Sequence, residues 1–283
     1  MNDDRITIRT EHLTIEGRSR AGHETWFRVR ELGAALDIGR CPDPVISVPN
    51  IFVTHAHLDH AAGIPYYAGQ RRLQGLEPGR VFVPAEAAPD FRELMKIHER
   101  LEGVDYEMDI AGLSAGDVVP LGRTHSVRAH DSTHRVPARA WEFLELRHHL
   151  KPQYAALDGA ELGRLRRQGL PIHDEVQHSV LFYTGDTDRG ILERNESLFR
   201  AEVLMIECSF VGENHRDRAA RYRHIHFDDI AEFAERYENS LIVLTHFSRR
   251  YSREEIVGTI RQRCPASLRD RLRLALAPPY DRL

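Results

Sequence analysis

Between Thr54 and His60 the chain reads Thr-His-Ala-His-Leu-Asp-His, which sets His55, His57, Asp59 and His60 within one short turn. Imidazole and carboxylate groups are ligands for zinc and similar divalent cations. An apolar, β-branched run from Val45 to Val53 precedes them and reads as a buried strand. A strand that stops in a tight turn sends alternate side chains into one place. His55 and His57 can then share one cation, while Asp59 and His60 face a second.

More residues of the same chemistry close other apolar runs. Asp186 follows Val180-Leu-Phe-Tyr-Thr-Gly, Glu207 follows Val203-Leu-Met-Ile, and His246 follows Leu241-Ile-Val-Leu-Thr. His134 stands in Ser132-Thr-His-Arg-Val-Pro137. The set suffices for two metals: His55, His57 and His134 on one, Asp59, His60 and His246 on the other, Asp186 bridging. A bridging carboxylate holds two cations about 3.5–4 Å apart, and water between them ionises near neutral pH to a bridging hydroxide. Such a centre attacks phosphorus or carbon and stabilises the charge that develops there. Each ligand also has a bland alternative. His134 alone would pass for a hydrogen-bonded core histidine, and Asp186 for an Asx turn. His125 and His130 read as packing groups, His148-His149 as a solvated pair, and His173, His178 and His215 as surface. Arg249, Arg250 and Arg253 could hold a phosphate near the metals or form surface ion pairs.

Positioning these groups requires many strands. Ile6, Ile8, Leu13 and Ile15 alternate along one strand, and Trp26–Arg30 and Ala34–Gly39 read as two more. A helix follows His60, from Ala61 to about Leu73. Val81–Pro84 is a short strand, and Pro89–Leu101 a helix with Phe91, Leu94, Ile97 and Leu101 on one face. Strands are expected around Tyr106, at Val118-Val119, Ser126–Ala129 and Ala140–Leu146. Residues 148–175 are charged and read as irregular, with a short helix at Gly159–Gln168. Buried strands end at Tyr183, Ile206 and Leu244. Asp228 is expected to cap a helix running to about Tyr237, a helix covers 253–263, and Arg271–Ala277 is a last strand. Trp26, Trp141 and Phe143 read as core. Strands outnumber helices early, which argues against a doubly wound parallel sheet.

Composition sets the frame. The chain has 283 residues, 41% apolar, with a formal net charge of -4, so no global basic field advertises nucleic acid. Of its 39 basic residues only Lys96 and Lys151 are lysine. Cys41, Cys208 and Cys264 are far apart and form no C-x-x-C, so a disulfide framework is not expected and a reducing cytoplasm is. The start, Met-Asn-Asp-Asp-Arg, lacks the basic and apolar parts of a signal peptide. No run approaches the roughly 20 apolar residues of a membrane span.

The motifs Thr54-His-Ala-His-Leu-Asp-His60, His134-Arg-Val-Pro, Phe182-Tyr-Thr-Gly-Asp-Thr187, Ile206-Glu207 and Leu244-Thr-His-Phe-Ser-Arg-Arg-Tyr251 resemble the metallo-β-lactamase-fold hydrolases. Within them the chain is most similar to ribonuclease Z, the endonuclease that trims the 3′ end of precursor tRNA. The resemblance implies an α+β chain folded as a four-layer αββα sandwich, one domain over 1–283, with two divalent cations at one edge, Zn2+ ahead of Mn2+ or Fe2+. It implies a phosphodiester substrate, RNA included, no membrane, and a homodimer as one option. Asp59 would ligate a metal and orient the attacking group. Glu207 matches a glutamate that works with a histidine to protonate the leaving oxygen. That histidine is His224 or His226, both expected to enter the site. The chain departs from the family in two places. Residues 10–25 show no Gly-Thr-rich turn. The interval from His134 to Asp186 is short and lacks the Gly-Pro-rich motif of the tRNA-gripping arm, with Leu150–Leu165 as a trimmed remnant. The alternative is therefore a small-molecule phosphodiesterase or ester hydrolase of the same fold.

Overall fold

The computed structural model describes residues 5–283. The reading of the N-terminus rests mostly on residues 1–4, outside the described residues. The first half of the chain supplies β1 Ile6–Arg9, β2 Thr14–Arg20, β3 Glu24–Val29, β4 Ala34–Leu36, β5 Asn50–Phe52, β6 Arg80–Pro84 and β7 Asp109–Leu113. They form one sheet in chain order. The second half supplies β8 Val118–Leu121, β9 His125–Ser132, β10 Ala138–Leu150, β11 His173–Tyr183, β12 Val203–Glu207, β13 Leu241–Thr245 and β14 Leu272–Leu274, again adjacent in chain order.

Both sheets change character half-way. β1 to β4 pair antiparallel, then β4 to β7 parallel. Likewise β8 to β11 pair antiparallel and β11 to β14 parallel. Parallel neighbours need a crossover, and helices fill those connections. Residues Ile64–Leu73 and Ala88–Glu102 cover the first sheet. Phe227–Glu232 and Arg253–Arg263 cover the second.

Strand periodicity explains the layers. Along β12, Val203 and Met205 face the other sheet, while Leu204 and Ile206 face the helices. In the first sheet Phe52 points inward, and Ile51 and Val53 point to the helices. Strands buried on both faces read as continuous apolar runs. Between the sheets Phe52 stacks on Phe82 at 4.6 Å and meets Trp141 and Phe143 edge-on. Burying each such ring stabilises by about 1.5–3 kcal/mol. The result is the expected α+β, four-layer αββα arrangement, with Trp26, Trp141 and Phe143 in the core.

Several local expectations are corrected. The run from Val45 is not one strand. Pro44 starts a helical turn at Asp43–Ile46, and only Asn50–Phe52 pairs. No strand forms at Tyr106; pairing begins at Asp109. The helix at Ala88–Glu102 buries Ala88, Phe91 and Met95, while Leu94, Ile97 and Leu101 are exposed. The helical stripe is thus rotated away from the three residues named with Phe91. His226, not Asp228, caps the helix Phe227–Glu232. Residues 148–175 are less irregular than their charge suggests. β10 and β11 run on past the sheet as a two-stranded ribbon, pairing Leu150 with His173, and Gly159–Arg167 forms a helix at its tip. His215, expected at the surface, is half-buried against the Tyr251 hydroxyl.

Candidate metal centre

The site lies where the parallel strands of both sheets end, the place where open sheets bind ligands. β5 runs into His55–His60, β11 into Asp186, β12 into Glu207 and β13 into His246. His134 comes from the turn between β9 and β10. A bridge between His55 and Ala138 joins the two halves beside it.

One ligand atom from each of His55, His57, His134 and Asp186 lies within 4.8 Å of the others. Asp59, His60 and His246 form a second such group, and Asp186, His224 and His246 a third. Asp186 stands between them. Its Oδ2 is 3.7 Å from His55 Nε2 and 4.0 Å from His134 Nε2, and its Oδ1 is 3.5 Å from His60 Nε2. Oδ1 is buried and accepts no hydrogen bond.

Hydrogen bonding behind the rings fixes which nitrogen is the donor. The Thr54 hydroxyl donates to Asp37 at 3.0 Å, so it must accept from Nδ1–H of His55, also at 3.0 Å. Nδ1–H of His60 donates to Asp37 Oδ2 at 2.8 Å. Nδ1–H of His134 donates to the Arg223 carbonyl at 3.1 Å. Ser209 Oγ donates to the His246 carbonyl at 3.1 Å and therefore accepts from His246 Nδ1–H at 2.9 Å. All four rings aim Nε2 at the site. His55 Nε2 is 3.0 Å from His57 Nδ1, and His134 Nε2 is 3.3 Å from the same atom. Three imidazole nitrogens meet there beside Asp186 Oδ2, while the unpaired Oδ1 faces His60 and His246, a donor set that fits divalent cations.

Charge supports the same fit. Burial holds His55, His57 and His134 below the usual imidazole range, hence neutral and able to ligate. Burial also lowers His60, but Asp186 and Asp37 outweigh it and push it up to about 10. For Asp59 and Asp186, burial raises the carboxyl pKa, yet the surrounding histidines hold both well below the usual range.

Of the residues expected to move protons, His224 joins the site and His226 does not. His224 Nδ1–H donates to Glu207 Oε1 at 2.7 Å, and its ring lies 5.1 Å from that of His134 and 5.5 Å from that of His246. Burial lowers its pKa, but the Glu207 carboxylate raises it more, to about 9. Glu207 is itself held by the amides of Thr187 and Ser209. Both ring nitrogens of His226 serve the backbone instead. Nδ1 accepts from the Asp228 amide, and Nε2–H donates to the Gly212 carbonyl.

Three supporting residues were not foreseen from the sequence. Asp37, at the end of β4, also accepts from the Thr54 amide and the Tyr183 hydroxyl. Its φ of 54° marked a special turn, but nothing in the residue order says so. Ser209 links His246 and His224. The Gly22 amide, in the β2–β3 turn, donates to Asp59 Oδ2 at 2.7 Å.

A model of the β-lactamase superfamily domain matches residues 39–247. The chain is 35% identical over 256 residues to tRNase Z TRZ2, chloroplastic, of Arabidopsis thaliana, covering 89% of this chain and 72% of that one. The chain belongs to the ribonuclease Z family. It is an enzyme, a hydrolase of the metallo-β-lactamase fold. The tRNase Z TRZ1 of the same plant is 33% identical over 256 residues, covering 89% and 91%. Among solved structures, the short form of human tRNase Z superposes with a TM-score of 0.59 at 18% identity, over 83% of this chain and 92% of that one. YhfI of Bacillus subtilis gives 0.61 at 13% identity, over 92% and 95%. At those identities the fold is what these structures share with this chain. No helix among the described residues is long and apolar enough to cross a membrane.

Proposed function

We propose that this chain, folded as one domain, cleaves phosphodiester bonds in RNA with two divalent cations, zinc by preference. His55, His57 and His134 would hold one, Asp59, His60 and His246 the other, with Asp186 between the two groups. The observation that carries this reading is the convergence of imidazole nitrogens and buried carboxylates from strand ends of both sheets. When bound, the cations supply an ionised water at neutral pH and positive charge against the charge developing on phosphorus.

The protein's own groups do the rest. Asp59 has one oxygen fixed by the Gly22 amide, which leaves the other to orient the attacking water. His224, charged at neutral pH through Glu207, donates the proton on its free nitrogen to the departing 3′ oxygen. The bond from phosphorus to that oxygen breaks as the new one forms, giving a 3′-hydroxyl and a 5′-phosphate. The relatives named tRNase Z make precursor tRNA the first substrate to offer.

Precursor tRNA and a cyclic nucleotide, incubated in parallel with the zinc-loaded protein, separate the two substrate classes. Cleavage of the tRNA after its discriminator base is expected. Hydrolysis of the cyclic nucleotide with the tRNA left intact would overturn the RNA assignment and favour a small-molecule phosphodiesterase.

A further inference from the structure

Tyr222 ends the helix Arg216–Tyr222 and is half-buried. Two guanidinium groups lie over its ring, Arg135 at 4.7 Å from the centroid and Arg218 at 5.5 Å. An arginine stacked on an aromatic face keeps the edge of its planar fork available. Among the described residues neither side chain makes an ion pair or a hydrogen bond, so the ring is the partner that places both. Nε of Arg218 is buried without an acceptor, as that placement implies. Arg216, on the same helix, is by contrast taken up by Asp229 and Glu232.

The surroundings do not neutralise the pair. Arg221 is exposed, and Arg223 uses Nη1 on the His134 carbonyl at 3.0 Å. Asp217 lines an open cavity of about 350 Å³ with Arg218, Arg221 and Tyr222, and it forms no ion pair among the described residues. Counting Arg135 with residues 217–223, four arginines stand against this one aspartate. In a chain of net charge -4 that balance is local.

The cluster is locked to the candidate metal centre. Nδ1–H of His134 donates to the Arg223 carbonyl at 3.1 Å, while Arg223 donates back to the His134 carbonyl. Arg135 follows His134 directly, and Tyr222 stands two residues before His224. The rings of His134 and His224 are 5.1 Å apart. In the reaction above, His224 gives its proton to the departing 3′ oxygen. The nucleotide that carries this oxygen therefore lies on the His224 side, where the arginines stand.

We propose that Arg135 and Arg218, oriented by Tyr222, clamp a backbone phosphate of the RNA strand 5′ to the cut. The guanidinium fork matches phosphate oxygens in pairs. A small ester extends no strand in that direction, so the clamp selects polynucleotides. The inference rests on the phosphodiesterase reading above and adds which side of the cut the protein grips.

The test compares wild type with Arg135→Ala/Arg218→Ala, Arg135→Lys/Arg218→Lys and Arg135→Ala alone. Arg135 is exposed, so its replacement spares the core. Arg123→Ala/Arg200→Ala removes the same charge from exposed positions before β9 and β12, at the strand ends away from the site. One readout is binding of the zinc-loaded protein to a fluorescein-labelled tRNA that ends at its discriminator base, followed by anisotropy across salt. The other is the ratio of kcat/KM on precursor tRNA to that on bis-p-nitrophenyl phosphate. The alanine pair is expected to weaken tRNA binding about tenfold or more and to flatten the salt slope by about 1–2. It should lower the kcat/KM ratio by a similar factor. Arg135→Ala alone should show part of the loss, and the lysine pair part of the recovery. Binding and ratio in the alanine pair equal to those in the Arg123/Arg200 pair would overturn the clamp. Loss of binding to a 5′-phosphorylated 3′ trailer, with tRNA binding kept, would overturn its placement. If wild type binds the tRNA through Arg135 and Arg218 yet cleaves no phosphodiester, the clamp stands and the hydrolase reading fails.

Discussion

Asp37 Oδ2 lies 2.8 Å from Nδ1 of His60, and the far nitrogen of that ring lies 3.4 Å from Nε2 of His246. One buried carboxylate thus decides how a ligand from the first sheet meets a ligand from the second. Asp37→Asn keeps the shape but turns an amide NH2 toward donors. It should weaken zinc binding by about ten- to hundredfold. Calorimetric titration of zinc into the chelated protein measures this. Unchanged affinity would show that Asp37 serves the fold alone.

His224 and His226 are two residues apart and should behave oppositely. His224→Ala removes the group hydrogen-bonded to Glu207 and should lower kcat by about 10²–10⁴ with KM and metal content retained. His226→Ala removes a helix cap and should cost about 0.5–2 kcal/mol of stability while kcat holds. Steady-state kinetics beside urea unfolding read both. A reversed pattern would exchange their roles.

Gly185 has a φ of 57°, and a Cβ built there would sit 2.5 Å from Cβ of Thr54. Gly185→Ala must strain the turn that delivers Asp186 and push on the residue before His55. A loss of at least 1–3 kcal/mol is expected, with weaker metal binding. Gly159→Ala, where nothing lies within 4 Å, is the control and should change stability by no more than about 1 kcal/mol. Urea midpoints of the two variants make the comparison.

Glu142 supplies a pH test away from the metals. Burial raises its carboxyl pKa, but His130 at 2.8 Å and Arg128 at 3.1 Å outweigh burial and lower it. A folded-state value below the unfolded one stabilises the protein above the ordinary carboxylate range of about 4. That stability is lost as pH falls through the lowered folded value. Glu142→Gln should therefore be less stable than wild type at pH 7, and the gap should close on acidification. Unfolding midpoints between pH 3 and 8 test the sign; a gap that widens toward acid would refute it.

What the sequence disclosed, and what it hid, follows from how each element meets water. β12 and β13 are buried on both faces, so Val203–Ile206 and Leu241–Leu244 stood out as apolar runs with ligand-type residues at their ends. The ribbon beyond Leu146, from Arg147 to Leu150 and from His173 to Val176, is wet on both faces. It carries no apolar alternation, and only backbone pairing reveals it. The supporting groups were hidden for another reason. Asp37, Ser209 and the Gly22 amide act across intervals of 23 to 37 positions on residues they do not adjoin in sequence. His226 looked like His224 because side-chain type is the same; its role was set by where the helix begins.

Under the proposed function, seven side chains between His55 and His246 would hold two cations. Metal analysis of the purified protein, with bis-p-nitrophenyl phosphate turnover measured on the same samples, tests it most directly. The account predicts about two zinc ions per chain, loss of turnover on chelation, recovery with added zinc, and loss of both metal and turnover in His57→Ala. A folded protein that takes up no divalent metal, or that turns over equally well without it, would contradict the account.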